Sequence, residues 1–590
     1  MKNKDYDVVI VGAGLAGLTS AYYLKKFKPE LSVLVIERSG AAGGLTGNWV
    51  DHRAGPDKKL QPPMHMIFRQ KYPNMMRLMQ EIGAELSPLH KGYNIFTSDG
   101  KRHRLEMSGW AARNLPPPLH GLGTFRKLKI PLKAKWDLIK LASASSYCVK
   151  EILDGVQQPS MVPNTLSLES LELLLDMGPR ARDFLETISP SIFNLHPYHL
   201  SAARMAIVFA ATLTASRDSL HYHVFSKNYN AAFIDGFVGK LKAMGVEFRF
   251  WTEARRIDCD RSGERIEAIW LRPYGPDASG SKRYVCENCG AENYCLDRAF
   301  CTRCGLDTTL SQIREGNIKR PVDRELWMEP EEGGYERIAC ARLITAMYPH
   351  MIAKLIPLDS PLRELPVVRA FYSALQNQTR LSIARVYYRK PVSRGERFIT
   401  GTHNPFYCFN GCQSVYNNFG GEDLGHDGGD VVDVLLDAGV IRDAHSPEVQ
   451  CRRIVSDLRR VYPDADPALV EHVSFADLYP DVLYLSEQPS IAGLHRFFRT
   501  NRTGAANWYV AGCHSGTIGL GMESAIESAM RSVNCLLTDS GSSPGPEISP
   551  YSMHGLNSAF SLFGKAILWW KAGGSSINRH VGNSYSMPPK

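Results

Sequence analysis

The sequence lacks several features that would assign it to a broad class at once. It has no run of the roughly twenty apolar residues that cross a bilayer, so we expect no transmembrane helix. Its 69 basic and 60 acidic residues leave a formal net charge of only +9 over 590 residues. That balance is compatible with an anionic membrane surface but is too small to indicate nucleic-acid binding. Residues 1–7 are polar and the following apolar run predicts a strand, so we expect no secretory signal.

Cysteine usage is also sparse for a disulfide-stabilised protein. The 13 cysteines are mostly scattered singly, apart from one cluster, which is typical of reduced thiols inside a cell. We therefore expect a cytoplasmic protein, either free or peripheral on a membrane. The length exceeds what one hydrophobic core usually serves, so the chain should hold two domains or one domain with large insertions.

A glycine motif follows the first apolar run of the chain. Residues 8–11 predict a buried strand, and Gly12-x-Gly14-x-x-Gly17 leads from it into a predicted helix. Gly12 allows the tight turn, Gly14 lets the backbone approach a pyrophosphate, and Gly17 lets the helix pack closely on the strand. The phosphates would lie at the helix N-terminus, where free N–H groups favour anions. The sequence therefore predicts an α/β fold with a Rossmann-type dinucleotide-binding domain.

An acidic residue and a second glycine pair narrow the nucleotide. A strand-like run at 33–36 ends at Glu37, which is placed to accept hydrogen bonds from an adenosine ribose. Gly43-Gly44 follows, where the backbone can again approach a phosphate, with a plain loop turn as the alternative. The chain here resembles flavoproteins of the amine oxidase and carotenoid desaturase superfamily, in which such a pair helps to hold FAD. The predicted FAD contacts of this segment are Gly12, Gly14, Leu15, Ala16, Gly17, Glu37, Arg38, Gly43, Gly44, Leu45 and Thr46.

The far end of the chain extends the resemblance. Residues 507–512 predict an apolar strand, and a predicted helix over 522–537 follows. The superfamily has there a strand ending in Gly-Asp, then a loop and Ser-Met-Glu-Gly-Ala at a helix start, whose N-terminus directs positive partial charge at the flavin. The resemblance implies FAD contacts from Gly512, Cys513, Gly521, Met522, Glu523 and Ala525.

Two residues depart from that pattern. Cys513 stands where the family has an aspartate, and Ser524 replaces the usual glycine. Three roles for Cys513 stay open: a backbone contact to FAD alone, a reactive thiol, or a thioether to the flavin. His514 is a candidate general acid or base, with a structural role as the alternative.

Residues 65–84 resemble plant and cyanobacterial phytoene and zeta-carotene desaturases. His-Met-Ile-Phe at 65–68 leads into Tyr-Pro-Asn at 72–74 and a predicted helix that ends at Gly83. We expect the methionine-rich face of this helix to be core. His65 is a candidate to face the flavin or the substrate, because helix packing does not explain a histidine beside a proline pair.

Two middle strands are expected to return to the FAD domain. By resemblance, the strand at 246–251 precedes a backbone contact to adenine from Ala254 or Arg256, and 337–346 forms a further strand. The predicted FAD-binding parts are 1–110, 231–273 and 501–538. A substrate- or membrane-facing helical part covers 111–230, an insertion covers 274–334, a strand return with the mixed sheet of the substrate domain covers 335–500, and a linker with an amphipathic tail covers 539–590.

The insertion contains two Cys-x-x-Cys-Gly knuckles that the desaturase pattern lacks. Cys286, Cys289, Cys301 and Cys304 predict a tetrahedral four-thiolate site for structural zinc, with iron as the alternative metal. Cys295 is surplus to such a site. Residues 282–325 hold eight Lys/Arg and seven Asp/Glu, so a protein-contact or oligomerisation surface is a better expectation than nucleic acid.

Two segments suggest contact with a membrane. Basic residues alternate with Trp and Leu over 126–140, which predicts either an interfacial helix or a solvated helix face. Near the C-terminus an apolar stripe at helical spacing predicts an amphipathic helix that docks on the body as a lid or lies on a membrane. The stripe comprises Leu556, Phe560, Phe563, Ile567 and Trp570.

The desaturase resemblance covers about residues 7–270 and 336–538. It implies an FAD-dependent oxidoreductase that desaturates a long apolar, isoprenoid or polyene substrate by hydride transfer to flavin N5, with reoxidation by a quinone or oxygen. Three alternatives remain: an amine or amino-acid oxidase, a redox-neutral isomerase or cyclase, and a flavin-bound scaffold whose zinc ribbon recruits a partner.

Overall fold

The computed structural model describes the parts of the chain in which the elements below lie. These are residues 6–47, 49–50, 59–60, 67–68, 72–88, 93–96, 102–105, 114–115, 129–153, 166–193, 195–205, 222–225, 227, 229–273, 282–285, 292–295, 335–374, 378–379, 382–393, 398–402, 409–414, 429–436, 447–477, 484–485, 494, 497–517, 521–542, 545–549 and 556–571.

The helices are α1 (Leu15–Phe27), α2 (Pro73–Ile82), α3 (Leu132–Leu153), α4 (Leu168–Leu174), α5 (Pro179–Phe193), α6 (Asp235–Ala243), α7 (Pro349–Ala353), α8 (Pro366–Ala374), α9 (Pro447–Val461), α10 (Met522–Asp539) and α11 (Leu556–Lys571). The strands are β1 (Tyr6–Val11), β2 (Val33–Ile36), β3 (Trp49–Val50), β4 (Lys59–Leu60), β5 (Ile67–Phe68), β6 (Leu86–Pro88), β7 (Tyr93–Phe96), β8 (Arg102–Leu105), β9 (Tyr222–Phe225), β10 (Glu247–Arg249), β11 (Thr252–Cys259), β12 (Ile266–Pro273), β13 (Lys282–Val285), β14 (Glu292–Cys295), β15 (Glu336–Thr345), β16 (Gln378–Thr379), β17 (Ser382–Tyr388), β18 (Phe398–Thr402), β19 (Phe409–Ser414), β20 (Asp430–Leu436), β21 (Val470–Asp477), β22 (Tyr484–Leu485) and β23 (Trp508–Val510).

The first large sheet draws its strands from the start, middle and end of the chain. Its order is β10-β2-β1-β15-β12-β11, with β23 paired to β15, and β10, β2, β1, β15 and β23 run parallel. On one face of this sheet Val8 and Ile10 pack with α1 and α10. On the other face Val9 and Val11 pack with α7 and α8. Burial on both faces explains why β1 and β2 are almost continuously apolar.

The second large sheet is mixed and has the order β21-β17-β20-β19-β18-β7-β8. Apolar residues of β17, β19 and β20 share a core with α9, and α5 packs against β7, β18 and β19. The two sheets and their helices form the α/β architecture that the sequence predicts.

A helical layer built from α3, α4, α5 and α11 has a core of its own. Helix α11 lies against α3, where Gly564 meets Ser143 across a separation of 421 residues, so the chain returns from its far end to complete this layer. Within the parts of the chain that the structure describes, no helix is long and apolar enough to cross a membrane.

The local predictions near the glycine motifs are confirmed. Helix α1 begins directly after the glycine loop, β2 spans residues 33–36, and α2 ends at Gly83, whose φ of +79° closes the helix. Strand β15 covers the predicted 337–346 run within one residue at each end, and α10 starts at Met522. The strand predicted over 246–251 is interrupted at Trp251, whose φ is +50°, so that β10 joins β2 while β11 pairs with β12.

The tail helix predicted from the apolar stripe is confirmed as α11, and Ile567 of that stripe packs against the core of the helical layer. Phe563 and Trp570 of the stripe are exposed, and the buried positions among the described side chains of α11 are Ser561, Gly564 and Leu568. A small-residue face lets the two helices approach closely, and the bulky stripe could not pack as near. His65 and the four knuckle cysteines lie outside the described residues, where their predictions stay open.

Candidate cofactor-binding site

Three parallel strands end side by side at one edge of the first sheet. The Ala346 N–H after β15 donates to the Val11 carbonyl at the end of β1, at 2.8 Å. The Ala511 N–H after β23 donates to the Thr345 carbonyl at 3.0 Å. In open α/β sheets ligands bind at the carboxyl ends of the strands. The glycine loops from opposite ends of the chain therefore meet where a nucleotide is expected.

The first glycine loop is packed too tightly for side chains. Gly12 has a φ of +102°, and a Cβ there would lie 2.7 Å from the Ala346 carbonyl oxygen. A Cβ on Gly17 would lie 1.9 Å from the Gly12 carbonyl oxygen. Gly14 is the N-cap of α1 and offers no side chain to the helix N-terminus. The first N–H groups of α1 are thus left for an anion. Leu15 and Ala16 are buried in this first turn.

The glycine pair at 43–44 closes directly onto that loop. The Gly43 N–H donates to the Ala13 carbonyl at 2.9 Å. Gly44 has a φ of +52°, and a Cβ on it would lie 3.0 Å from the Gly14 Cα. Leu45 and Thr46 continue as a short 3-10 turn. Backbone from two loops therefore lines the same small space, as a pyrophosphate requires.

Glu37 is oriented by the backbone beside it. One carboxylate oxygen accepts the Ala13 N–H at 2.8 Å, and the other accepts the N–H and hydroxyl of Ser39, each at 2.9 Å. An ionised carboxylate offers about four acceptor positions, so capacity remains for a ribose hydroxyl. Arg38 lies 3.9 Å from the Glu253 carboxylate and faces β11, which contains Ala254.

The loop that follows β23, over residues 511–517 and called the distal loop below, is held against the start of α10. Gly521, with a φ of +134°, is the N-cap of α10 and leaves this helix N-terminus uncapped by a side chain. The Gly512 N–H donates to the Ser528 hydroxyl at 3.1 Å. Ser524 is buried against Gly516, where a Cβ on the glycine would lie 2.4 Å from the serine Cβ. The serine that departs from the family pattern thus helps to fix the loop over residues 513–517. Met522 and Ala525 are buried in the first turn.

The Glu523 side chain is directed at a neighbouring helix. Its carboxylate accepts the Asn74 backbone and side-chain N–H groups at 3.0 and 2.8 Å and the Met75 N–H at 2.7 Å. It therefore caps the N-terminus of α2. Burial raises the pKa of Glu523 to about 7, although these hydrogen bonds oppose the shift.

Cys513 and His514 lie at the junction of two cores. The Cys513 Sγ is 3.8 Å from the Tyr348 hydroxyl, and the half-buried Cys513 packs near Leu45. His514 is fully buried, with its ring edge-on to Phe498 at a centroid distance of 5.3 Å. Both roles predicted for His514 stay predictions, and Cys513 packs against the same small cluster of Tyr348 and Ala374 as Leu45, which follows the glycine pair.

The sequence did not predict that Asn501 holds the distal loop by hydrogen bonds. Asn501 adopts a φ of +55°, and its side-chain amide donates to the Val510 carbonyl at 2.8 Å and to the Ser528 hydroxyl at 3.0 Å. It ties the end of β23 to α10. The sequence carried no signal for it, because an isolated asparagine in a loop is ordinary.

These residues fit a dinucleotide cofactor. Two helix N-termini begin at glycines without side-chain caps, and two glycine loops approach within contact distance. A carboxylate with spare acceptor capacity lies at the end of β2. Within the residues that the structure describes, no cluster of three or more metal-ligating side chains occurs.

Two family models match the chain. A NAD(P)-binding Rossmann-like domain matches residues 10–82, and a flavin containing amine oxidoreductase matches residues 306–537. Short matches also occur to thiamine thiazole synthases, with 51% identity over 49 residues for the protein of Schizosaccharomyces pombe and 40% over 67 residues for that of Candida albicans. They cover 8% and 11% of this chain, which spans only 14% and 18% of the length of these curated relatives.

Solved structures share the fold across most of the chain. A putrescine oxidase bound to putrescine covers 90% of this chain and 98% of its own, with a TM-score of 0.58 and 15% identity. The cyclohexylamine oxidase of Brevibacterium oxydans covers 90% and 99%, with a TM-score of 0.57 and 13% identity. A putative protoporphyrinogen oxidase of Exiguobacterium covers 92% and 100%, with a TM-score of 0.53 and 13% identity. At 13–15% identity these structures show a shared fold, while residues 306–537 are similar to flavin containing amine oxidoreductases, and that match together with the glycine-lined site supports an FAD-dependent oxidoreductase.

Proposed function

We propose that the chain dehydrogenates a long apolar substrate of the isoprenoid or polyene class. The observation that carries this proposal is that the buried carboxylates of the second sheet are hydrogen-bonded to other groups of the protein. Asp433 accepts both arms of the Arg385 guanidinium, at 2.6 and 2.8 Å, and the Gln413 amide at 3.1 Å. Asp430 accepts the N–H groups of Val392 and Ser393, each at 3.0 Å. Donors of the protein itself therefore already engage both carboxylates, and the charge of Asp433 is paired with Arg385 rather than presented to a substrate ammonium.

The residues of the cofactor site would then bind and orient rather than move protons. The two glycine loops and the α1 N-terminus hold the phosphates, and Glu37 fixes the ribose. When bound, FAD supplies the hydride acceptor, and a quinone or oxygen takes the electrons onward. An apolar substrate would be held by shape and by exclusion of water rather than by charge.

Amine oxidation is the second candidate function. It is favoured by the fold shared with a putrescine oxidase and a cyclohexylamine oxidase, each named for an amine. A redox-neutral isomerase or cyclase is the third, because Cys513 replaces the acid that the superfamily carries after the distal strand.

Anaerobic flavin reduction separates these functions. The purified holoprotein is titrated with micellar polyenes and, separately, with putrescine and cyclohexylamine, while the oxidised-flavin absorbance is followed. We expect bleaching by a polyene and none by either amine, with free FAD as the control for background reduction. Bleaching by an amine alone would overturn the proposal, and a rearranged polyene without bleaching would favour the redox-neutral function.

We also propose that the insertion holds a structural zinc ion. Strands β13 and β14 pair as a hairpin through Val285 and Glu292, and the residues between them include Cys286 and Cys289. Such a hairpin is the usual setting for one knuckle of a zinc ribbon. The ribbon would act in folding and as a protein-contact or oligomerisation surface.

Metal analysis with paired variants tests this site. The double variant C286S/C289S should lose the metal, whereas C295S, which changes the surplus cysteine, should keep it. Iron in place of zinc would overturn the assignment of the metal. Equal metal content in both variants would overturn the site itself.

A further inference from the structure

Helix α11 is anchored to the body by its small residues. Its buried face holds Ser561, Gly564 and Leu568, and a Cβ on Gly564 would lie 2.0 Å from the Ser143 carbonyl oxygen of α3. The helices touch backbone to backbone at this point. The orientation of α11 is therefore fixed by a contact that a larger side chain would not allow.

The opposite side of α11 is apolar and exposed. Leu562 is 67% exposed, Trp569 58% and Trp570 73%. At about 100° per residue these positions lie across the helix from the buried face. An ordinary surface helix places charged residues there. This helix instead presents its largest apolar side chains to the outside.

Helix α3 extends the same exposed surface. Leu132 is 84% exposed and Trp136 51%, one turn apart in the first turns of α3. The Trp136 and Phe563 rings lie 6.0 Å apart between centroids, so they join the two helices. We call this set the α3–α11 surface. It comprises Leu132, Trp136, Leu562, Phe563, Trp569 and Trp570. Contiguous exposed apolar side chains of this kind mark an interaction site.

The charges around the α3–α11 surface are almost all positive. Residues 129–140 and 556–571 together hold six Lys/Arg and one acid, a net of +5 in a chain whose formal net charge is +9. That acid, Asp137, is buried and bonded to Lys140 at 2.8 Å and to the Gly178 N–H at 2.9 Å. Lys571 lies 5.2 Å from the Trp570 ring centroid and 3.8 Å from Asp176, an exposed acid at the edge.

We propose that the α3–α11 surface docks the protein on an anionic membrane. Trp569 and Trp570 would enter the headgroup boundary, with α11 lying in the membrane plane and the lysines pairing with acidic lipids. Tryptophan beside lysine is the composition that this boundary favours, because the indole has an apolar body and a polar edge while lysine keeps its charge in water. This inference concerns location and is independent of the reaction proposed above.

Vesicle flotation of the full-length holoprotein tests the proposal. The probes are phosphatidylcholine vesicles with and without phosphatidylserine. We expect binding to the anionic vesicles only, weakened by added salt. W569S/W570S should bind roughly tenfold or more weaker, and K133E/K565E at least about tenfold weaker.

Matched variants elsewhere on the surface serve as controls. Leu358 and Val449 are exposed apolar residues outside the α3–α11 surface, and Arg452 and Arg453 are exposed basic residues on α9. L358S/V449S and R452E/R453E should bind as the wild type does. Flavin absorbance and circular dichroism report whether each variant is folded.

Three outcomes would overturn the proposal. One is equal flotation of the wild type and W569S/W570S. Another is absence of flotation by the wild type with either vesicle. The third is a wild-type dimer that becomes a monomer in W569S/W570S, which would show that a second copy covers the surface.

Discussion

Glu523→Gln should remove a pH dependence from the stability of the protein. Burial raises the pKa of this carboxyl from 4.5 to about 7 in the folded chain. A carboxyl with a raised folded pKa takes up a proton on folding, so its stabilisation is present at low pH and is lost as pH rises toward 7. At 1.36 kcal/mol per unit the full loss is about 3 kcal/mol, of which about 2.5 kcal/mol falls between about pH 5 and about pH 8.

The glutamine keeps the shape and one oxygen acceptor but turns an amide toward at least one of the donors on Asn74 and Met75. It should therefore be less stable than wild type at low pH by about 1–3 kcal/mol, and the two stabilities should converge as pH rises. The flavin content should stay unchanged, because the carboxylate is engaged with α2.

Urea unfolding followed by far-ultraviolet circular dichroism measures both stabilities across this pH range. Glu30→Gln is the matched control, since the Glu30 side chain is 64% exposed and its removal should leave the slope as in wild type. Parallel pH curves for wild type and Glu523→Gln would refute the assigned proton uptake. Loss of flavin from a folded Glu523→Gln protein would refute the assignment of the side chain to α2.

Three further predictions concern the cofactor site and the second sheet. Gly17→Ala should abolish flavin binding, measured by the ratio of flavin to protein absorbance, because its Cβ meets the first loop carbonyl at 1.9 Å; Gly239→Ala, in an open helix position, should bind flavin normally. Asp433→Asn should destabilise the fold by about 3–5 kcal/mol in urea melts by removing the negative charge that neutralises the buried Arg385 guanidinium, whereas the double variant with Arg385→Met and Asp433→Leu should lose much less. Cys513→Ser should retain flavin that denaturation releases freely, and flavin that stays attached to denatured wild type would instead establish a thioether.

The first glycine loop and its surroundings were predictable because the residues that indicate them lie close together in the chain. The glycines of the first loop, the apolar runs beside them and the acid after β2 lie within forty residues of the chain start, and each acts on its immediate backbone. The start of α10 was predictable for the same reason. The role of the Glu523 side chain was not, because its partners Asn74 and Met75 lie about 450 positions away.

By itself the sequence determined the Rossmann motif, the two glycine-containing segments that the fold brings to one edge of the first sheet, and the existence of an amphipathic tail helix. Periodicity and glycine spacing act over a few residues, so they specify where elements begin and which loops can approach a phosphate. Only the tertiary structure decided which face of α11 is buried, that Asn501 bonds the end of β23 to α10, and that Trp136 of α3 meets Phe563 of α11. Those features depend on close packing between segments that lie far apart in the chain, such as Gly564 against Ser143, and no local pattern encodes that contact.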